Sequence, residues 1–276
     1  MTVASEVFGP EHEQVTLYMS WKGRGETPAG IAGRLLQTMH ILANLYPHGK
    51  AALCTLGRDG TGGPHRLPGD LEGLTALAAG KSNKNPDGTV REQGRTSIVA
   101  LLLPDPEDAA LKSDAMLSVL AGTPLGLNNK VSLQLEDNFP MGPPSRASHW
   151  FLDFVRIWQP QYALLKTTLT NSTDFGIGTG AAYLSWVSFK AFGPAPEVAS
   201  AVRVPFGDGA LYVAREWSLN GFAALGRDLS AAGCARILDA PKFQDPPAFP
   251  DGYPAGLDRL DDLVSWGSEL DAELPR

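Results

Sequence analysis

The chain has 276 residues, 43% hydrophobic and 19% charged, enough apolar material for a large core. Its net charge of −7 leaves no broad attraction for nucleic acid or anionic lipid and suits a basic protein partner. The start, Met1 to Gln14, is polar and acidic, and no segment reaches the ~18 consecutive apolar residues of a bilayer span, so a cytoplasmic chain without a secretory signal is expected.

Glu13 to Ser20 alternates Val15, Leu17 and Met19 with Thr16, Tyr18 and Ser20, as a strand does. Thr27-Pro28 then reads as a helix start, with Thr as N-cap and Pro at the first helical position. Ile31, Leu35, Met39, Leu42 and Leu45 or Tyr46 line one face of that helix, with His40 beside it as a half-buried residue, and Pro47 and Gly49 end it. Gly57 to Pro68 is a Gly-rich turn region, and Leu71, Leu74, Leu77 and Ala78 predict a short second helix stopped near Gly80. After the polar turn cluster 81–88, strands are predicted over Arg95 to Leu103, Ala115 to Ala121 and Lys130 to Leu135. Ser145 or Ser148 can cap a helix that buries Trp150, Phe151, Phe154 and Ile157.

Tyr162 to Leu169 is a predicted strand, and Ala181 to Phe189 an aromatic-rich strand and turn. Gly207-Asp208-Gly209 between apolar runs signals a hairpin over Val202 to Val213. Trp217, Phe222, Leu225 and Leu229 predict a further helix. Residues 239–256 are proline-rich and irregular, and Leu257 to Leu270 reads as a closing helix. Several strand pairs are joined by loops too short for a crossover helix, which favours an α+β fold with a mainly antiparallel sheet packed with several helices. The chain reads as one domain over 1–276.

The turn Lys22-Gly23-Arg24-Gly25 lacks the GxxxxGK[ST] of a phosphate loop and the third glycine of a dinucleotide fingerprint, so it reads as a tight strand-to-helix turn. The glycines of 176–180 have no acidic residue placed for a ribose. His12, His40, His48, His65 and His149 show no metal-ligand spacing, no GxSxG elbow occurs, and no cofactor or metal is expected. Cys54 and Cys234 read as reduced structural thiols, a disulfide between them being the alternative. Glu136 and Asp137 are the paired carboxylates that a metal-dependent hydrolase or nuclease would use, but the ExK pattern that completes such a site is missing, and a solvated loop is the simpler reading. Aromatics near Trp186 and Phe189 would serve a self-associating module if exposed. Charge is uneven: from Asp251 to Arg276 seven acids stand against Arg259 and Arg276. On a closing helix Leu257, Leu260, Val264 and Leu270 can face inward, and Asp258, Asp262 and Glu269 then fall near the opposite side. Either a solvated face or a surface for a basic partner follows.

The order of landmarks resembles the immunity protein 52 family of bacterial toxin–immunity systems. The resemblance is carried by "WKGRGETPAGIAGRLLQTMHILANLYP" (21–47), "LEGLTALAAGKSNKNPDGTVREQG" (71–94), "LNNKVSLQL" (127–135), "FVRIWQPQYALLKT" (154–167) and "GTGAAYLSW" (178–186). It spans a core of about 15–238, leaving the proline-rich segment and the acidic C-terminal helix of 239–276 outside. It implies a non-enzymatic antidote that binds and neutralises a cognate polymorphic toxin, with a nuclease domain as the target. Glu136, Asp137, Asp258, Asp261 and Asp262 are then the acids expected to meet that partner.

Overall fold

The computed structural model of the chain describes residues 2–9, 14–55, 64–107, 112–124, 128–173, 179–234, 236–241 and 245–267. Its helices are α1 (Ala4–Phe8), α2 (Pro28–Asn44), α3 (Leu71–Gly80), α4 (Pro144–Trp158), α5 (Phe189–Phe192), α6 (Leu219–Ala231) and α7 (Leu260–Leu263). Its strands are β1 (Val15–Lys22), β2 (Ala52–Thr55), β3 (His65–Arg66), β4 (Thr96–Leu103), β5 (Ala115–Ala121), β6 (Asn128–Leu135), β7 (Tyr162–Thr167), β8 (Leu184–Ser188), β9 (Ala201–Phe206) and β10 (Gly209–Ala214). The strands form a ten-stranded sheet in the order β3-β2-β4-β5-β6-β1-β7-β8-β10-β9, and the fold is α+β. The pairs β2–β3, β2–β4, β4–β5, β7–β8, β8–β10 and β9–β10 are antiparallel, and the two-residue link between β9 and β10 is too short for a parallel crossover. By packing, the chain divides into two compact units, Ser20–Gln134 and the combination of Met1–Met19 with Leu135–Arg276.

In the Ser20–Gln134 unit, α2 starts where Thr27-Pro28 predicts, with Thr27 Oγ1 accepting the Gly30 N–H at 3.1 Å. Ile31, Leu35 and Leu42 are buried, and Thr38 is buried with them while its hydroxyl donates to the Arg34 carbonyl at 2.9 Å. His40 falls on the exposed side, because the buried stripe runs through Leu35, Thr38 and Leu42 rather than through Met39. Asp70 caps α3 by accepting the Gly73 N–H at 2.8 Å, and α3 packs on α2. β4 and β5 bury alternate residues, among them Ile98, Ala100 and Leu102 against Leu117 and Val119. Burying each such Val, Leu or Ile stabilises by roughly 1.5–3 kcal/mol, which holds the period-two register in place.

In the other unit, β9 and β10 meet through the two-residue turn Gly207-Asp208, with Gly207 at φ +59°. A side chain at Gly207 would also collide with the Ala248 carbonyl, so both backbone and space demand glycine here. The inner face of α4 buries Trp150, Phe151, Phe154 and Trp158, and Ile157 stays only half buried. Trp186 is fully buried against Phe249, its indole N–H donating to the Phe206 carbonyl at 3.1 Å, so it is core and not an exposed aromatic for self-association. Cys54 and Cys234 are free thiols, and the disulfide alternative is not realised.

The closing helix is much shorter than its periodicity suggests. A 3₁₀ turn at Leu257–Arg259 runs into α7, which stops at Leu263. Val264 is extended, Ser265 N–H donates to the Arg215 carbonyl at 2.8 Å, and Trp217 N–H donates to the Ser265 carbonyl at 2.9 Å. This strand-like bridge to Glu216 competes with the helix and wins. Leu270, with the acids Glu269, Asp271 and Glu273, lies outside the described residues, as do most of the glycine clusters of 57–63 and 176–180.

Candidate protein-binding surface

α4 carries two stripes. The apolar one faces the core, and the other holds Ser145, His149, Asp153 and Arg156 at helical spacings of three and four. This outer stripe receives the C-terminal segment. Asp261 Oδ1 accepts the Ser145 N–H and Oδ2 the Ser145 hydroxyl, both at 2.8 Å. The Tyr253 hydroxyl donates to Asp153 Oδ1 at 2.7 Å, and the Tyr253 ring meets the His149 ring edge-on at 4.7 Å. Arg156 donates to the Gly252 carbonyl at 2.8 Å, and Gln159 donates to the Pro247 carbonyl at 3.4 Å. Residues 247 to 261 therefore run antiparallel to α4, descending from Gln159 to Ser145.

Each contact has a local cause. The N-cap position of α4 is Pro143, which offers no side-chain acceptor, and the Asp261 carboxylate fills that role from 116 residues away. A carboxylate at a helix N-terminus also meets the positive end of the helix dipole. Ser148 is buried inside α4 and Ser145 is its second residue, so neither serine caps the helix by itself. His149 Nδ1 lies 2.8 Å from the Ser145 carbonyl, which requires the proton on that nitrogen. Burial raises the Asp153 carboxyl above its ordinary value, while the Tyr253 hydroxyl and the charges of Arg156 and His149 pull it back. Burial, with the Asp153 hydrogen bond, pushes the Tyr253 phenol up to about 12, so it stays a donor at neutral pH.

The segment so held is exposed and acidic. Asp251, Asp258, Asp261 and Asp262 stand against Arg259, and Tyr253 (45%) and Leu263 (40%) are exposed large side chains within it. Of the three acids singled out here from the sequence, Asp261 is engaged with α4, and Asp258 and Asp262 are exposed. Glu136 and Asp137 occupy the exposed turn before α4. Their backbone seats α1: Ser5 donates to the Asp137 carbonyl through N–H (3.2 Å) and hydroxyl (3.1 Å), and Ala4 N–H donates to Phe139. Among the described residues no group of three or more His, Cys, Asp or Glu is placed to hold a metal ion. Tyr253 and the α4 stripe escape a reading by apolar periodicity; the 145/149/153/156 spacing is the signal that could have found them.

The opening turn is a second polar centre, in the Ser20–Gln134 unit. Glu26 Oε1 lies 3.3 Å from Arg24 Nε and 3.1 Å from Arg34, and the Arg24 guanidinium sits 4.7 Å from the Trp21 ring centroid. Burial lowers the Arg24 guanidinium to about 10 against the pull of Glu26. The Asn129 amide spans this turn, donating to the Arg24 and Thr123 carbonyls and accepting the Thr123 N–H at 3.0 Å. Arg24 therefore braces its own loop, as a strand-to-helix turn requires. Among the described residues no helix is long and apolar enough to cross a membrane.

No protein-family model matches the chain, and no curated protein matches it. Among solved structures, it is similar to the Pseudomonas aeruginosa T6SS protein PA0821 over 72% of this chain and 68% of that one, at 10% identity and a TM-score of 0.45.

Proposed function

We propose that the chain is a non-enzymatic binding protein that neutralises a toxin by direct contact, the role implied by the immunity-family resemblance of its sequence. The observation that carries the reading is the 251–263 segment: it is fastened along α4 through the Gly252 carbonyl, the Tyr253 hydroxyl and the Asp261 carboxylate, while Asp251, Asp258, Asp262, Leu263 and the Tyr253 ring stay exposed. Aromatic and aliphatic anchors among carboxylates suit a basic protein face, and a nuclease presents such a face where it grips the phosphate backbone. Charge brings the partners together quickly and makes the rate salt-dependent, whereas lasting inhibition needs about 1,600 Å² of buried surface around a few anchors.

The test is co-expression with the product of the adjacent toxin gene. Restored growth and a co-purifying complex are the expected result. Failure to capture any such partner, or turnover of a polynucleotide by the purified chain that one side-chain replacement abolishes, refutes the proposal.

A further inference from the structure

We infer that Arg156 is the positioning residue of this surface, the group that sets where Tyr253 stands and so whether the segment docks preformed. The inference rests on the binding role proposed above for 251–263. One guanidinium makes four contacts there: it donates to the Gly252 carbonyl at 2.8 Å, lies 3.7 Å from Asp153 Oδ1, and has the rings of Tyr253 and Phe206 at 5.1 and 5.4 Å. Phe206 belongs to β9 and is buried, so the guanidinium links the sheet, α4 and the exposed segment. Asp153 closes the circuit by accepting from the Tyr253 hydroxyl. A planar, multiply donating guanidinium can stack on rings and hydrogen-bond in its own plane at once; an ammonium cannot. Fixing Tyr253 before the partner arrives removes the ordering cost of that side chain from binding.

Charge alone makes the opposite prediction. Arg156 is a cation beside an acidic surface, so deleting it strengthens attraction for a basic probe if electrostatics governs. Positioning demands that deletion weaken binding. The full chain, as wild type, Arg156→Ala and Arg156→Lys, is compared in two measurements. In the first, nuclear Overhauser contacts between the Tyr253 and His149 rings report placement, and those between Trp150 and Phe139, 5.7 Å apart, report the intact fold. Both variants are expected to lose the first contact and keep the second. In the second, binding to an immobilised deca-arginine peptide at low salt is expected to weaken roughly three- to tenfold in both variants, the cost of ordering one or two side chains. Retained Tyr253–His149 contacts in Arg156→Ala, tighter binding by Arg156→Ala, or wild-type behaviour restored by Arg156→Lys overturns the inference. A wild type that ignores the peptide refutes the reading of the surface instead, and the ring contacts then decide the role of Arg156 alone.

Discussion

Asp261→Ala separates an acid that builds the surface from acids that only decorate it. In the folded chain the Asp261 carboxylate takes both the Ser145 N–H and the Ser145 hydroxyl, replacing the cap that Pro143 cannot supply. Losing a helix N-cap costs about 1 kcal/mol, and the helix-dipole contribution at an exposed site adds about 0.3–1 kcal/mol at low salt. The expected destabilisation is therefore about 1–2 kcal/mol, a fall in midpoint of roughly 2–4 °C for a chain of this size. Thermal and urea unfolding followed by circular dichroism measure it. Asp258→Ala and Asp262→Ala serve as controls and should stay within about 0.5 kcal/mol of wild type, as exposed substitutions do. Asp261→Asn, which keeps an acceptor but loses the charge, should fall between. Equal stabilities for Asp261→Ala and Asp258→Ala would refute the capping assignment and return Asp261 to the set of free surface acids.

Reversing Asp258 and Asp262 to Lys should slow association with a basic partner about tenfold at low salt and flatten the salt dependence, measured by stopped-flow or surface plasmon resonance; wild-type kinetics would move the interface elsewhere. Asn129→Ala removes a fully buried amide that makes three hydrogen bonds across the opening turn, so a loss of about 2–3 kcal/mol in urea unfolding is expected, and a loss below about 0.5 kcal/mol would contradict the bracing role. Burial holds the Asp114 carboxyl above its ordinary value against the Tyr46 hydroxyl that donates to it at 2.9 Å. With the folded value raised, the stability it contributes is complete below the unfolded value and disappears as pH rises through the folded one. Asp114→Asn keeps an acceptor for Tyr46, so its unfolding midpoint should fall less than that of wild type between about pH 4 and pH 7; a steeper fall would reverse the sign of this argument.

Read from the amino-acid sequence, α2, α3, α6, β4, β5 and the β9–β10 hairpin all emerge, because each is dictated locally. Caps sit next to the helices they start, as Thr27, Asp70 and Ser218 do, and a buried face repeats every two or 3.6 residues. The negative charge of the C-terminal region is equally plain in the composition. What that charge does was decided only in three dimensions. The cap of α4 comes from Asp261, far beyond any local window, and the helix predicted to run to Leu270 stops at Leu263 because Ser265 pairs with Arg215 and Trp217. The sequence leaves open whether Trp186 is exposed, and the packing of Phe249 with the Phe206 carbonyl closes it into the core. Local sequence sets which residues can form an element; hydrogen bonds and burial between distant segments set where the element ends and which of its faces remains exposed.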